Sequence, residues 1–161
     1  MNADDALNLD SGCTPHSIFT RHMRNYFSTL GGLKPIEVET ANSLDHYLCQ
    51  QGNLTLFATG LSGRDVQINF PGSLVSDNFS SNLVCLRSLL ILGWTVDWRK
   101  DQALLHTPDK TDTLILHFLN GMYVFPPLFS RSRHIEAGVA NTWTSATQTS
   151  APSMARAAPS S

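Results

Sequence analysis

Asp10-Ser11-Gly12 is the stretch of this sequence best suited to chemistry. A carboxylate is followed by a hydroxyl and then by a residue with no side chain. The Asp is an acid/base group, and the Ser can hydrogen-bond backbone and lock its loop. The Gly lets another chain segment pass close to the carboxylate and allows unusual backbone angles. By itself the tripeptide is a weak signal, since a chain of this length meets D-[ST]-G by chance roughly one time in ten or twenty. The competing reading is an Asp-Ser-Gly turn at a strand end.

Other chemistry-bearing residues are less well arranged. Cys13 and His16, with His22, make half of a zinc site but have no second half, so no metal is expected. Cys13 beside Asp10 could be a thiol nucleophile, yet no base is placed by the sequence. His46, His106, His117 and His134 are scattered; His106 and His117 fall in apolar strands and read as half-buried, satisfied side chains. No phosphate-binding Gly-rich loop, Ser-His-Asp signature or kinase motif occurs, and no cofactor is implied.

The elements that must position Asp10 read as short strands. Ala6–Leu9 places Leu7 and Leu9 on one face and runs into the Asp10 turn. Phe19, Met23, Tyr26 and Phe27 are spaced for one or two helical turns, and Gly31-Gly32 breaks that pattern. Lys34–Ala41 alternates Ile36, Val38 and Thr40 against Glu37 and Glu39, and Asn42-Ser43 is a turn signal. Tyr47–Ala58 reads as two short strands around Gln50-Gln51-Gly52-Asn53. Gly60–Gly63 turns the chain, and Asp65–Phe70 alternates up to Pro71-Gly72.

Asn82–Leu92 differs, with apolar residues at 83, 86, 89, 90 and 92, a helical spacing ended by Gly93 as a left-handed cap. A strand follows with Trp94, Val96 and Trp98 on one face, expected in the core. Arg99–Gln102 turns, Ala103–His106 pairs back, and Asn120-Gly121 joins Thr113–Phe118 to Met122–Phe125 as a hairpin. From Ser130 the chain is mostly Ser, Thr, Ala, Pro and Arg and reads as disordered.

Composition sets the bounds. A length of 161 residues suits one domain plus a tail. The net charge of −2 gives no basic footprint for nucleic acid. The longest apolar run, Leu89–Leu92, is far too short to cross a membrane, and the acidic Met1–Asp5 is followed by no signal-like apolar run. Three widely spaced cysteines argue against a disulfide framework and for a reducing compartment.

With these pieces in place, the sequence resembles the aspartic protease segment of copia-type retrotransposon polyproteins over roughly residues 7–125. The family's opening, an apolar residue then Asp-Ser-Gly-Ala/Cys-Thr-x-His, is matched by Leu9-Asp10-Ser11-Gly12-Cys13-Thr14-Pro15-His16. Val38-Glu39-Thr40-Ala41-Asn42-Ser43 fits its V-x-x-A-N-G turn, and a G-x-G-rich hairpin is partly kept in Gln51-Gly52-Asn53-Leu54-Thr55-Leu56. A second block runs from Leu74 through Asn82-Leu83-Val84-Cys85 to Gly93-Trp94-Thr95-Val96-Asp97-Trp98. Leu119-Asn120-Gly121-Met122-Tyr123-Val124 is similar to the segment before the integrase region. Departures are the nine residues before Asp10, few for a protease barrel, Asp77 in place of a family Pro, and Cys85 as the small residue leading the helix.

The resemblance implies a mainly β, small retropepsin-like barrel with one short helix. The expected divisions are a protease domain over 1–110, a β-hairpin over 111–128 and a disordered tail over 129–161. It implies an aspartic endopeptidase working as a homodimer on a polypeptide substrate, with Asp10, Ser11 and Gly12 catalytic. Gln51, Gly52 and Asn53 would lie in a flap-like hairpin that closes over the peptide. Metal, cofactor, nucleic acid and membrane have no part in this reading. The location expected is intracellular, in the cytoplasm or, for an intact element, in a virus-like particle. The alternative is a catalytically inactive retropepsin-like dimeric module that binds peptides, or a transposon remnant.

Overall fold

The computed structural model describes residues 6–12, 16–39 and 44–130. Among the described residues, short amphipathic segments become eleven strands. They are β1 (Leu7–Asp10), β2 (Ile18–Thr20), β3 (Phe27–Leu30), β4 (Lys34–Glu39), β5 (Leu44–Thr59) and β6 (Asp65–Ser76), followed by β7 (Asn82–Cys85), β8 (Thr95–Trp98), β9 (Gln102–His106), β10 (Thr113–Leu119) and β11 (Met122–Val124). Two short helices interrupt them, a 3-10 helix over Arg21–Tyr26 and α1 over Leu86–Ile91. The mainly β class is as expected. One compact unit runs over Met1–Leu128, and the tail expected to be disordered lies, from 131 on, outside the described residues.

The strands form one sheet in the order β3-β5-β6-β2-β7-β1-β11-β10-β9-β8, with β4 paired to β5. Neighbours run antiparallel except for β2 with β6 and β1 with β7, which are parallel. The expected barrel is corrected: the sheet is open, and β3 and β8 stand at its ends. Closing a barrel requires the end strands to hydrogen-bond each other. Here the turn between β5 and β6 bonds the start of β10 instead. The Leu61 N–H donates to the Thr113 carbonyl at 3.0 Å, and Ser62 bonds the Asp112 carboxylate. The two wings still share one interior, because Leu54, Leu56, Ile68 and Phe70 of one wing and Leu105, Leu114 and Leu116 of the other belong to a single buried cluster. Phe19 sits among them, edge-on to Phe27 and Phe70 at 5.9 and 5.6 Å between ring centres.

Several local expectations are corrected by long-range pairing. Helical spacing over Asn82–Leu92 is real only from Leu86, because Asn82–Cys85 pairs in parallel with β1 and forms β7. Gly93 does cap α1, with φ +101°. Its N–H donates to the Leu90 carbonyl at 3.0 Å, and the Trp94 N–H donates to Leu89 at 3.1 Å, which closes a Schellman turn over the buried pair Leu89 and Trp94. Trp98, expected in the core, is 48% exposed and packs on Tyr123 with ring centres 5.2 Å apart. Asn120 and Gly121, at φ 51° and 83°, make the expected two-residue hairpin between β10 and β11. His106 is half-buried against the Thr113 hydroxyl at 2.9 Å as expected, whereas His117 is exposed.

The β9–β10 turn carries a titration signature. The Asp109 carboxylate accepts from the Thr107 and Thr111 hydroxyls, each at 2.7 Å, and from the Thr111 N–H at 3.0 Å. The Thr107 hydroxyl first, then the Thr111 donors, hold its pKa down at about 2. The folded value lies below the ordinary 3.8, so the stabilisation is complete above pH 4 and lost as pH falls through about 2. An NMR pH titration should therefore place the midpoint near 2 both at the Asp109 carboxyl and at the Thr111 amide that reports it; a midpoint near 4 would contradict this turn geometry.

Candidate active site

Asp10 stands at the C-terminal end of β1. Leu7 and Leu9 point into the core and anchor the strand, while Asn8 and Asp10 are half-buried. On one side β1 is paired in parallel with β7, in register from Leu7–Asn82 to Asp10–Cys85. On the other it is antiparallel to β11 through Asn8–Val124 and Leu9–Tyr123. A carboxylate on a strand held along both edges has little backbone freedom. The chain then turns, and the Gly12 N–H donates to Asp10 Oδ1 at 2.9 Å. Ser11 and Gly12 are exposed beside it.

The β7–α1 junction fixes the neighbouring strand end. The Cys85 N–H donates to Ser17 Oγ at 2.8 Å, and Ser88 Oγ donates to the Cys85 carbonyl at 2.8 Å. The Cys85 side chain is fully buried. Cys13, the potential nucleophile, lies outside the described residues. Among the described residues no group of three His, Cys, Asp or Glu side chains could hold a metal ion.

Gln51, Gly52 and Asn53 occupy a different kind of place from the one expected. Their hairpin is corrected: β5 runs unbroken through them, paired with β3 on one side and β6 on the other, and a register shift between Gly52 and Leu54 absorbs an extra residue. Nor does β6 stop at Pro71-Gly72; it continues to Ser76 past Gly72, whose φ is +62°. The polar side chains converge on that irregularity. Gln51 Nε2 donates to the Gly72 carbonyl at 3.0 Å, and Asn53 Oδ1 accepts the Gly72 N–H at 3.0 Å. His16 Nδ1 lies 3.1 Å from the same carbonyl and donates there in the tautomer that carries its hydrogen on Nδ1. No hydrogen bond joins these three residues to Asp10 among the described residues; Gln51 Nε2 lies 3.5 Å from His16 Nδ1.

Gly52 has a steric role. A Cβ there would lie 2.7 Å from the Thr29 carbonyl carbon and closer still to its oxygen. Gly52→Ala should thus force β3 from β5 and destabilise the protein by about 1–3 kcal/mol. Gly32→Ala, where a Cβ meets nothing within 4 Å, should stay within about 0.5 kcal/mol. Equal denaturation midpoints for the two variants would refute the close approach.

The hairpin is β4–β5, and its inner face, Val38 and Cys49 with Ile36 and Tyr47, packs on Ile18, Leu74 and Phe79. Lys34–Glu39 pairs with Leu44–Cys49, from Lys34–Cys49 to Glu39–Leu44, and residues 40–43 at its tip lie outside the described residues. Leu44 and Leu48 are exposed on it. Its signals are local: alternation over Lys34–Ala41, then the Asn42-Ser43 turn.

No helix of the described chain is long and apolar enough to cross a membrane. No protein-family model matches this chain, and no curated protein matches it.

Proposed function

We propose that this chain is one half of a homodimeric aspartic endopeptidase of the retrotransposon polyprotein type. One observation carries the reading: Asp10 sits half-exposed at the end of a strand pinned on both edges, in register with the residue that leads into α1, with the Gly12 N–H on its carboxylate. Rigid placement of an acid/base group is what hydrolysis by activated water requires.

One chain holds one Asp-Ser-Gly, so a complete site needs two copies. Two Asp10 carboxylates facing across a twofold axis cannot both ionise cheaply and share a proton. The dyad titrates as a unit. Its ionised member takes a proton from water held between the two, and its protonated member polarises the peptide carbonyl. Water attacks that carbon, and the proton passes to the leaving amine. No covalent enzyme intermediate forms. The β4–β5 hairpin leaves Leu44 and Leu48 exposed, an apolar surface for an extended peptide to pack on. The buried Cys49, which forms no disulfide, fits an intracellular setting.

The test is cleavage of a diverse peptide library from mildly acidic to neutral pH, with and without a statine-type inhibitor. Inhibitor-sensitive cleavage by a dimer supports the proposal. A folded dimer that binds peptides without cutting them overturns the enzyme and leaves a peptide-binding module.

A further inference from the structure

The end of β1 away from Asp10 opens on a cleft of about 380 Å³. Asn8, Thr20, Arg21, His22, Ser80 and Ser81 supply its polar wall, and Phe79 its apolar part. One carboxylate, Asp77, also lines it, but the Arg24 guanidinium holds that group at 3.1 Å. Among the described lining residues, Arg21 is the cation that no carboxylate pairs.

Two features of the wall are unspent. The exposed side chains of Arg21 and His22 make no ion pair or hydrogen bond with any described residue. Thr20 is only 5% exposed, yet its Oγ1 has no hydrogen-bond partner. Thr20 precedes the 3-10 helix, where a hydroxyl commonly takes a helix N–H, and it makes no such bond. Its surroundings are satisfied: the Thr20 N–H donates to Asn82 Oδ1 at 2.8 Å, and Asn82 Nδ2 donates to the Ala6 carbonyl at 3.3 Å. A buried hydroxyl left alone among paired groups is unfavourable unless something outside the chain completes it.

We propose that this cleft binds a tetrahedral oxyanion of the phosphate class. A guanidinium and several hydroxyls around one opening offer more donors than the two oxygens of a carboxylate can use, whereas a phosphoryl group presents three or more acceptors. Arg21 supplies the charge-assisted bonds and the Thr20 hydroxyl a donor from the floor. The group can arrive as free phosphate or on a phosphorylated peptide, and neither requires Asp10 to be catalytic.

The experiment is an amide NMR titration of the full chain at constant ionic strength. The probes are inorganic phosphate and a phosphoserine peptide with uncharged flanks. Saturable shifts at Thr20, Arg21, His22 and Ser81, with none at Ser11 or Gly12, are expected, with half-saturation on the order of 1 mM. Arg21→Gln should weaken binding about tenfold or more, because it removes the free guanidinium. Thr20→Val should weaken it too while leaving the melting temperature unchanged or higher, since the hydroxyl holds no partner. Equal half-saturation by both probes identifies the free oxyanion as sufficient; tighter peptide binding identifies a phosphorylated chain. Shifts that never saturate, or that Arg21→Gln leaves unchanged, overturn the proposal. So does a melting temperature lowered sharply by Thr20→Val, which would make the hydroxyl structural.

Discussion

Asp10→Asn lowers peptide cleavage by roughly 10³-fold or more and leaves the fold intact, because it removes the proton-transferring group from both halves of the site. Asn keeps the shape of Asp and an oxygen able to accept the Gly12 N–H, so the turn at the end of β1 survives. What it lacks is the ability to take and return a proton. The half-exposed position makes the change mild for stability, within about 0.5 kcal/mol. Kinetics, thermal melting and sedimentation on the same preparation separate the two effects. Mixing sharpens the result: with equal amounts of native chain and variant, freely exchanging dimers retain about a quarter of their sites as native pairs. Activity proportional to the native fraction itself would mean that one chain suffices, and the shared dyad would be wrong.

A chain ending at residue 110 does not fold cooperatively. The stretch 111–128 resembles a separate hairpin in sequence, yet β11 is the antiparallel partner of β1 and β10 is the partner of β9. Truncation would strip one edge from the strand that bears Asp10. It would also remove Leu114, Leu116, Phe125 and Leu128, all buried in the main cluster. At about 1.5–3 kcal/mol for each large apolar side chain, that is roughly 6–12 kcal/mol of burial. A domain of this kind has about 5–15 kcal/mol in total. Thermal melting of residues 1–110 beside the full chain decides the matter, and a cooperative transition in the shorter chain would show that β10 and β11 are dispensable.

Both predictions turn on the difference between local and non-local information. The alternation in Leu7–Asp10, the alternation in Lys34–Glu39, the Asn120-Gly121 hairpin and the Gly93 cap were legible because each depends on residues a few positions apart. Asp10-Ser11-Gly12 was legible as a candidate for the same reason: its residue types and order are local. Helical spacing over Asn82–Cys85 misled because four residues can satisfy either period, and the parallel ladder with β1, more than 70 residues earlier, selected the strand.

Gly52 misled in the opposite direction. A Gln-Gly-Asn stretch reads as a turn, but the carbonyl of Thr29 crowding its Cα makes it a place of close strand approach inside β5. Trp98 follows the alternation of a core strand, yet β8 is the sheet's end strand and leaves it half exposed.

By itself the sequence determined the β-rich class, most strand and turn positions and the one carboxylate worth testing, since period-two patterning and turn chemistry act over a few residues. Only the tertiary structure decided that the sheet stays open, that the β4–β5 hairpin buries one face against Ile18, Leu74 and Phe79, and that β11 and β7 flank Asp10. It also decided that Thr20, Arg21 and His22 meet Ser80 and Ser81 in one cleft. Those outcomes depend on which distant strands pair and in what register, and that choice is made by burying one shared core rather than by any local run of residues.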